Sequence, residues 1–169
     1  RAFTALYDRY FDAVYGYCLR HLGDAQVAED AASQTFLKAL AAISSYRERG
    51  RFRSWLFAIA HNVVLDALRA PMPTLSLETA SAVHDPAASP EDQAIAVLDG
   101  AWLDAAISRL PPAERQVLEL RRAGLRGGEI AAVLGISHEA AKKRQRRAID
   151  QIRAEAHVGR EQPEVRRGA

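Results

Sequence analysis

The aromatic residues of this 169-residue chain are distributed very unevenly. Of its twelve Phe, Tyr and Trp residues, eleven lie between Phe3 and Phe57, and only Trp102 lies beyond them. Because aromatic side chains contribute the largest buried areas of a small core, this division predicts two separate cores. Four of the seven prolines lie between the two parts, at Pro71, Pro73, Pro86 and Pro90. The stretch that holds them is rich in Ser, Thr, Ala and acids, which is typical of a linker.

The formal net charge of +2 hides an uneven distribution of charge along the chain. Residues 1–70 carry a net +2, residues 71–100 carry −5, and residues 101–169 carry +5. An acidic connector between two more basic parts indicates a nucleic-acid partner. The overall composition, with 26% charged and 49% hydrophobic residues, is ordinary for a globular protein.

What the sequence lacks excludes several classes of protein. No apolar run approaches the roughly 20 residues that cross a bilayer, so we expect a soluble protein without membrane insertion. The single cysteine, Cys18, cannot form an internal disulfide, which fits the cytoplasm. The five histidines are scattered, and no phosphate-binding glycine loop is present. We therefore predict no enzyme activity, no cofactor and no metal site.

The first part of the chain has the periodicity of three long helices, with no alternating strand pattern. Gly23 is expected to end the first helix and Asp24 to cap the second. Apolar residues recur at spacings of three and four in each helix. The three predicted inward stripes are Phe3, Leu6, Tyr7, Tyr10, Phe11, Val14, Tyr17 and Cys18; Val27, Ala31, Thr35, Phe36, Leu40 and Ile43; and Phe52, Trp55, Leu56, Ile59, Val63, Ala67 and Leu68.

The second part is predicted to contain four short helices. A capping hydroxyl and a proline at Ser89–Pro90 start the first, which Pro111–Pro112 ends. A second helix closes at Gly124, a third covers Glu129 to Leu134, and a fourth begins after Ser137. The predicted fold is therefore all-α, with two small helical domains joined by an acidic, Pro-rich linker.

The last two predicted helices have the spacing of a helix-turn-helix. Ala131 is followed by Gly135 four positions later and by Ala141 six further on, which lets the helices cross closely. The spacing alone fits an αα-hairpin in a bundle core equally well. Five of the six residues from Lys142 to Arg147 are basic, however. Lys143, Arg146 and Arg147 fall on the face opposite the apolar one, and Lys142 and Arg144 flank them. A basic face beside this motif favours contacts with DNA in the major groove.

The predicted duplex contacts lie on the first turns of the last helix. Glu139 and Ala140 occupy positions from which base edges are read, and a glutamate accepts a hydrogen bond from cytosine N4. Glu139 fits equally well as a partner of the helix dipole. The full set of predicted contacts is Ser137, Glu139, Ala140, Lys142, Lys143, Arg144, Arg146 and Arg147.

A second cationic segment lies where a loop meets the third helix. Its four arginines fall within seven residues and are interleaved with Tyr46, Phe52 and Trp55. Arginines follow a nucleic-acid backbone while aromatic rings stack on unpaired bases, so the pattern is typical of single-strand binding. Phe52 and Trp55 also fit the helix period, so we assign them to packing and leave Tyr46 open. The arginines assigned to nucleic acid are Arg47, Arg49, Arg51 and Arg53.

Both parts resemble the extracytoplasmic-function (ECF) sigma factors of bacterial RNA polymerase, which keep only regions 2 and 4 of the sigma-70 superfamily. The motifs similar to region 2 are Leu22-Gly23-Asp24, Ala28-Glu29-Asp30, Thr35–Ala39, Phe52–Leu56 and Ile59–Arg69. Those similar to region 4 are Leu110–Leu118, Glu129–Ser137 and Ala141–Arg144. With the composition, the resemblance implies region 2 at 1–70, the acidic linker at 71–90, region 4 at 91–156 and a polar tail at 157–169.

The resemblance implies a partner for each part. Region 2 would dock on the clamp of the largest polymerase subunit and region 4 on the flap of the second subunit. The implied clamp contacts are Asp30, Gln34, Phe36 and Lys38. The implied contacts with a single-stranded minus-ten element are Tyr46, Arg47, Arg49, Arg51, Arg53, His61 and Asn62. The last helix would read the minus-thirty-five element as duplex. An anti-sigma factor is a further implied partner, and the bacterial cytoplasm is the implied location.

Four departures from the family pattern bear on these expectations. Gln34 stands where glutamate is usual, His61 where arginine is common, and Gln145 places an amide on the inner face of the last helix. Gly127-Gly128 disfavours the first helix of the motif. The alternative function is a free-standing helix-turn-helix regulator that does not bind polymerase, since its motif would be the same. The order of the two domains and the arginines from Arg47 to Arg53 favour the sigma factor.

Overall fold

The computed structural model describes residues 2–47, 51–70 and 100–160, and every regular element within these ranges is a helix. Helix α1 covers Ala2–Leu22, α2 covers Ala25–Ala42 and α3 covers Phe52–Arg69, with a 3-10 turn at Ile43–Ser45. Residues 100–108 form α4. Helix α5 covers Pro112–Arg122, α6 covers Gly127–Leu134 and α7 covers His138–Arg160. The predicted all-α fold is confirmed.

Four predicted features lie outside the described residues. They are the linker at 71–90, the helix start at Ser89–Pro90, Arg49 and the end of the polar tail from residue 161. The first residues of that predicted tail, by contrast, belong to α7, which continues to Arg160.

The sequence between α1 and α2 accounts for the break between the two helices. Gly23 has a φ of 74°, which a residue without Cβ adopts at little steric cost. Its N–H donates to the Leu19 carbonyl at 2.8 Å and closes α1. The Asp24 carboxylate accepts a hydrogen bond from the Val27 N–H at 2.9 Å and caps α2. Both predicted signals are confirmed.

The chain divides into two compact units that do not follow the order of the sequence. The first unit contains α1, α2 and α3 together with Glu119–Ala141. The second contains the described residues from 100 to Leu118 and those from Lys142 onward. The end of α5, the whole of α6 and the first residues of α7 therefore belong to the same unit as the first three helices.

The core of the first unit combines large residues from α1 and α3 with small residues from α2. The buried alanines of α2 let its neighbours approach closely, and they are Ala28, Ala31, Ala32 and Ala39. Large buried side chains from α1 and α3 include Val14, Tyr17, Leu56, Phe57, Val63 and Val64. Fully burying one such aliphatic or Phe side chain contributes about 1.5–3 kcal/mol.

Two leucines that the periodicity places in the core are exposed instead. Leu40 of α2 and Leu68 of α3 are each 49% exposed. The inner face of α2 is formed mainly by alanines, and that of α3 is formed by Ser54, Leu56, Phe57, Ala60, His61, Val63 and Val64. The prediction followed the large apolar residues, whereas close packing of three helices selects a stripe that includes small ones.

The second unit has a smaller, aliphatic core. Ile107, Leu110 and Ala148 are buried together, and the partly buried residues packed against them are Leu103, Leu118 and Ile152. An ion pair joins Arg109 Nη2 to Glu155 Oε2 at 2.7 Å within this unit. Trp102, the one aromatic residue of the second part, is 40% exposed and does not form the centre of this core.

Candidate nucleic-acid interface

The turn between α6 and α7 has the geometry of a helix-turn-helix. Gly135 has a φ of 63°, and the Ile136 N–H donates to the Ala131 carbonyl at 3.0 Å, which closes α6 in a Schellman-type cap. The Ser137 hydroxyl accepts a hydrogen bond from the Ala140 N–H at 3.1 Å and caps α7. The predicted turn is confirmed, and Ser137, which is predicted to contact DNA, has at least this structural role.

Helix α6 begins two residues earlier than the sequence predicts, at Gly127. The Glu129 carboxylate accepts from the Arg126 N–H at 2.7 Å and stabilises this end of the helix. A Cβ on Gly127 would lie 2.8 Å from Nε2 of His138, so the glycine leaves room for that imidazole. A residue that helix propensity disfavours therefore serves the packing of the motif.

The cations of α7 occupy its exposed side. We call the exposed residues Lys142, Lys143, Arg146 and Arg147 the α7 cationic face. Arg144 and Gln145 are half-buried beside it, while Ala141 and Ala148 are buried on the inner side of the helix. Glu139 is exposed one turn earlier and Ala140 is half-buried. Four cations spread over six residues lie within about 8 Å along the helix axis, which concentrates positive potential where phosphates would bind.

Aromatic rings pack against one another at the start of α3. The Tyr46 ring centroid lies 4.8 Å from that of Trp55 and 5.9 Å from that of Phe52. The Phe52 ring in turn lies 5.5 Å from the ring of Tyr10. The Tyr46 hydroxyl is buried and has no hydrogen-bond partner in the part of the chain that the structure describes. Tyr46, which the sequence left open, therefore belongs to an aromatic cluster at the start of α3.

The arginines of this segment differ in their surroundings. Arg47 and Arg51 are exposed. Arg53 is half-buried, its Nη1 donates to the Gly124 carbonyl at 2.7 Å, and its guanidinium lies 6.0 Å from the centroid of the Tyr10 ring. Asn62, further along α3, is exposed. Of the predicted minus-ten contacts, Arg53 is therefore already engaged by another part of the protein.

His61, also predicted to contact the minus-ten element, lies in the core of the first unit. Its Nδ1 is 2.9 Å from the Tyr17 hydroxyl, and both residues are buried. Burial raises the pKa of Tyr17 and lowers that of His61, so both side chains are held in their neutral forms and share this hydrogen bond. We therefore assign His61 to the core rather than to the DNA contacts. The partner 44 residues away gave no local signal in the sequence.

The exposed side of α2 carries three of the four predicted polymerase contacts. Asp30, Gln34 and Lys38 follow one another at a spacing of four residues, and all three are exposed. Lys38 Nζ lies 3.9 Å from Asp66 Oδ2, and both side chains are largely in solvent. Sequence reasoning missed the 67% exposure of Leu37, which gives this surface an apolar component together with Leu40.

Phe36, the fourth predicted polymerase contact, is buried in the first unit. Its ring centroid lies 4.7 Å from that of Tyr7, 6.2 Å from that of Phe11 and 6.3 Å from that of Phe3. A side chain enclosed by three aromatic rings packs α2 against α1 and is not available to a partner. We therefore assign Phe36 to the core instead of the polymerase surface.

Two further classes of site are absent from the described residues. Within 2–47, 51–70 and 100–160, no three His, Cys, Asp or Glu side chains come together as metal ligands. None of the helices in these ranges is long and apolar enough to cross a membrane.

Comparison with known proteins gives a family for both parts of the chain. The family model for Sigma-70 region 2 matches residues 6–71, and the model for Sigma-70, region 4 matches residues 106–154. The two matches cover more than half of the sequence and define its class as a protein of the sigma-70 type with regions 2 and 4.

Two similar proteins of known class identify the family within the sigma-70 type. The ECF RNA polymerase sigma factor BldN of Streptomyces coelicolor is 38% identical over 152 residues, which are 88% of this chain and 58% of that protein. The ECF RNA polymerase sigma factor ShbA of Streptomyces griseus subsp. griseus is 34% identical over 150 residues, covering 82% of this chain and 78% of that protein. The chain belongs to the ECF family of RNA polymerase sigma factors.

A solved structure has the same fold. The sigma factor RpoE of Bartonella quintana, in a co-crystal structure with the anti-sigma factor NepR, superposes with a TM-score of 0.70. The match covers 93% of this chain and 98% of that chain at 19% sequence identity. This likeness supports the helical architecture and, at such low identity, carries no residue roles.

Proposed function

We propose that this chain is a sigma factor that binds core RNA polymerase in the bacterial cytoplasm, directs it to promoters and assists their opening. In this proposal, catalysis of RNA synthesis belongs to the polymerase. Membership of the ECF family supports this role over that of a free-standing helix-turn-helix regulator. The chain spans 58% of the length of BldN, so the partners and the promoter of the whole protein belong to the proposal.

The observation that carries the proposal is the α7 cationic face beside a capped helix-turn-helix. Its four cations are exposed, whereas the alanines on the inner side of α7 are buried. A helix of this kind enters the major groove with its first turns against base edges and its cations against phosphates. We assign to it the minus-thirty-five duplex, with Glu139 and Ala140 at the base edges and Ser137 and Arg144 beside them.

The arginine-rich segment before α3 is the proposed contact of the minus-ten element. Arg47 and Arg51 are exposed, and Asn62 lies on the accessible side of α3. Together with Arg49 they would follow the backbone of an unpaired strand, while the ring of Tyr46 packs against Phe52 and Trp55 at the start of α3. Taking bases out of the duplex costs unstacking energy, which contacts of this kind offset.

The exposed side of α2 is the proposed surface for the polymerase clamp. Asp30, Gln34 and Lys38 supply polar contacts, and the exposed Leu37 and Leu40 supply apolar area. Interfaces commonly combine an apolar centre with a polar rim, and this face has both elements. Region 4 would contact the flap of the second subunit. An anti-sigma factor is a further proposed partner.

The direct test is transcription with purified core polymerase, with and without the chain, on a library of promoter DNA. We expect specific initiation only when the chain is present. The matched control is the double variant Lys143→Ala with Arg147→Ala, which should keep polymerase binding in a pull-down and lose initiation at promoters that depend on the minus-thirty-five element. A chain that binds duplex DNA tightly by itself but neither binds core polymerase nor supports initiation would contradict the proposal in favour of a free-standing regulator.

A further inference from the structure

Arg9 is an exposed cation of α1 that belongs neither to the proposed DNA contacts nor to the surface proposed for the polymerase. Its guanidinium carbon lies 5.6 Å from the centroid of the Tyr10 ring, which is within the range of a cation–π contact. Among the described residues no carboxylate lies within ion-pair distance of this guanidinium, although Asp8 and Asp12 are on the same helix. Within this part of the chain, the charge of Arg9 is therefore oriented by a ring rather than neutralised by an acid.

The ring of Tyr10 also connects α1 to the start of α3. Its centroid lies 5.5 Å from that of Phe52, the first residue of α3, and the Arg53 guanidinium lies 6.0 Å from it. Phe52 in turn packs edge-on against Tyr46, at 5.9 Å between centroids. The aromatic cluster at the start of α3 therefore places Arg9 beside the arginine-rich segment, although the two are far apart in the sequence.

A guanidinium that lies near an aromatic ring is well prepared to bind a phosphate group. Arginine presents five N–H donors in a rigid plane, and this fork matches the oxygens of a phosphate. A contact with a ring limits the rotamers of the side chain, so less conformational entropy is lost when a ligand binds. Arg9 is exposed, so its donors are accessible from solution. The residue therefore combines accessibility with a restricted orientation.

Two acidic residues limit how far along α1 a negatively charged ligand can extend. Asp8 and Asp12 are both exposed. With 3.6 residues per helical turn, both lie on the side of Arg9 that is opposite to Tyr10. A polyanion that reaches Arg9 from the start of α3 would next meet these carboxylates, which repel it. The charges of α1 thus favour one phosphate at Arg9 and disfavour a second one further along the helix.

We propose that Arg9 binds one phosphate of the unpaired minus-ten strand and lies at the end of a cationic path that begins at Arg47 and Arg51. Tyr10 is the positioning residue, since its ring contacts both the Arg9 guanidinium and Phe52 at the start of α3. Arginines interleaved with aromatic rings favour a nucleic-acid strand over an acidic protein segment. This inference rests on the proposed function, because it extends the proposed minus-ten contacts onto α1.

The test measures how tightly holoenzyme, assembled from core polymerase and the full chain, binds a fluorescently labelled single strand. The strand carries the minus-ten sequence of a promoter obtained in the transcription experiment. Arg9→Ala should reduce the magnitude of the salt slope by about 0.7, the contribution of one phosphate on a single strand, and weaken binding about fivefold at 0.1 M salt relative to 1 M. Arg9→Lys keeps the charge and should restore most of the slope. The matched control is Arg153→Ala, which removes the same charge from an exposed position on α7 and should change neither quantity.

A scan of the strand with single methylphosphonate linkages locates the phosphate, because each such linkage removes one backbone charge. One position should weaken binding to the unmodified holoenzyme about fivefold and leave binding to the Arg9→Ala holoenzyme unaffected. Tyr10→Leu keeps apolar volume but removes the ring, so it should reduce the coupling between Arg9 and that phosphate. Because Arg9 is exposed, Arg9→Ala should keep the thermal unfolding midpoint of the free chain.

Each of three results would overturn this inference alone. Equal salt slopes for the unmodified and the Arg9→Ala holoenzymes, with strand binding intact, would show that Arg9 contacts no phosphate. The same response of both holoenzymes to every methylphosphonate position would show that Arg9 acts indirectly. Loss of core polymerase binding by Arg9→Ala in a pull-down would assign Arg9 to the polymerase surface instead. A failure of transcription by the unmodified chain is a different result, since it would refute the proposed function and this inference with it.

Discussion

The two helices that carry the predicted DNA contacts, α3 and α7, present their cations in different ways. Helix α3 has buried residues from Ser54 to Val64, and the arginines predicted to bind DNA lie at its start or just before it, beside the aromatic cluster. Helix α7 buries only small residues on its inner side near its cations, which lie in mid-helix on the exposed face. The difference implies that changes in α3 act mainly through the fold, whereas changes on the α7 cationic face act mainly through binding.

The largest expected effect is a loss of stability when a buried residue of α3 is truncated. Phe57→Ala removes a fully buried ring that packs edge-on against Tyr17 at 5.7 Å between centroids. We expect the free energy of unfolding to fall by about 3–5 kcal/mol, measured by urea denaturation followed by circular dichroism. The control is Ile152→Ala on α7, a partly buried residue that should cost clearly less. Equal losses for both variants would contradict the contrast between the helices.

The next largest effect is expected on the binding of duplex DNA by the α7 cationic face. Lys143→Ala combined with Arg147→Ala should reduce the magnitude of the salt slope of duplex binding by about 1.8, because each phosphate contact contributes about 0.9. The corresponding loss of affinity is up to about 60-fold at 0.1 M salt relative to 1 M. Fluorescence anisotropy with a minus-thirty-five duplex measures both quantities. The control pair, Arg69→Ala with Arg153→Ala, removes the same charge from other exposed positions and should leave the salt slope almost unchanged. An unchanged slope for Lys143→Ala with Arg147→Ala would instead exclude α7 from the DNA interface.

A third effect concerns the buried histidine of α3. Burial lowers the pKa of His61, so the unfolded chain binds a proton more readily than the folded one. The stability that buried, neutral His61 contributes is therefore fully present above the ordinary histidine pKa of about 6.5, and it is lost as the pH falls below that value. The free energy of unfolding falls by at most about 1.4 kcal/mol for each pH unit through this one group.

Urea denaturation between pH 7.5 and pH 5 tests this sign. His61→Gln should lose stability at neutral pH yet show a shallower decline towards acid pH than the unmodified chain. The exposed His157→Gln serves as the control and should keep the original slope. A decline that is the same in all three proteins would show that His61 does not titrate as its burial requires.

The smallest effect is expected on the exposed side of α3. Asp66 lies 3.9 Å from Lys38, and both side chains are largely in solvent. Asp66→Asn should change the free energy of unfolding by less than about 0.5 kcal/mol, since exposed ion pairs contribute little. A loss above about 1 kcal/mol, measured by urea denaturation, would mean that this side of α3 is also part of the folded core.

Structural features with a local signal in the sequence could be predicted, whereas features that depend on a distant partner could not. The ends of α1 and α6 follow from Gly23 and Gly135, whose φ angles of 74° and 63° favour glycine. The inward stripes of α2 and α3 depend on which neighbours approach them, so periodicity placed Leu40 and Leu68 wrongly. A histidine at the position of His61 gives no sign of its bond to Tyr17.

The residues of the candidate site also separate into those with a local signal in the sequence and those that depend on tertiary packing. The cationic run of α7 was visible because it is contiguous, and its exposed side follows from the helical period. The burial of Phe36 follows from the apolar period of α2, whereas its place among the polymerase contacts came from the family resemblance. The contact of Arg53 with Gly124 depends on tertiary packing, which no spacing reveals. The buried Glu119 is the clearest case, because its partner Arg20 lies near the other end of the chain and neither residue is unusual in its local sequence.

Separate roles for the arginine-rich segment before α3 and for the α7 cationic face are the central proposal, and one measurement on the assembled holoenzyme tests it directly. Permanganate reactivity of minus-ten thymines reports opening, and a gel shift of the same promoter reports recruitment. We predict that Arg47→Ala with Arg51→Ala abolishes permanganate reactivity while recruitment is largely kept, and that Lys143→Ala with Arg147→Ala reduces recruitment itself. Loss of recruitment by the first pair to the same extent as by the second, or normal opening with both arginines removed, would contradict the account.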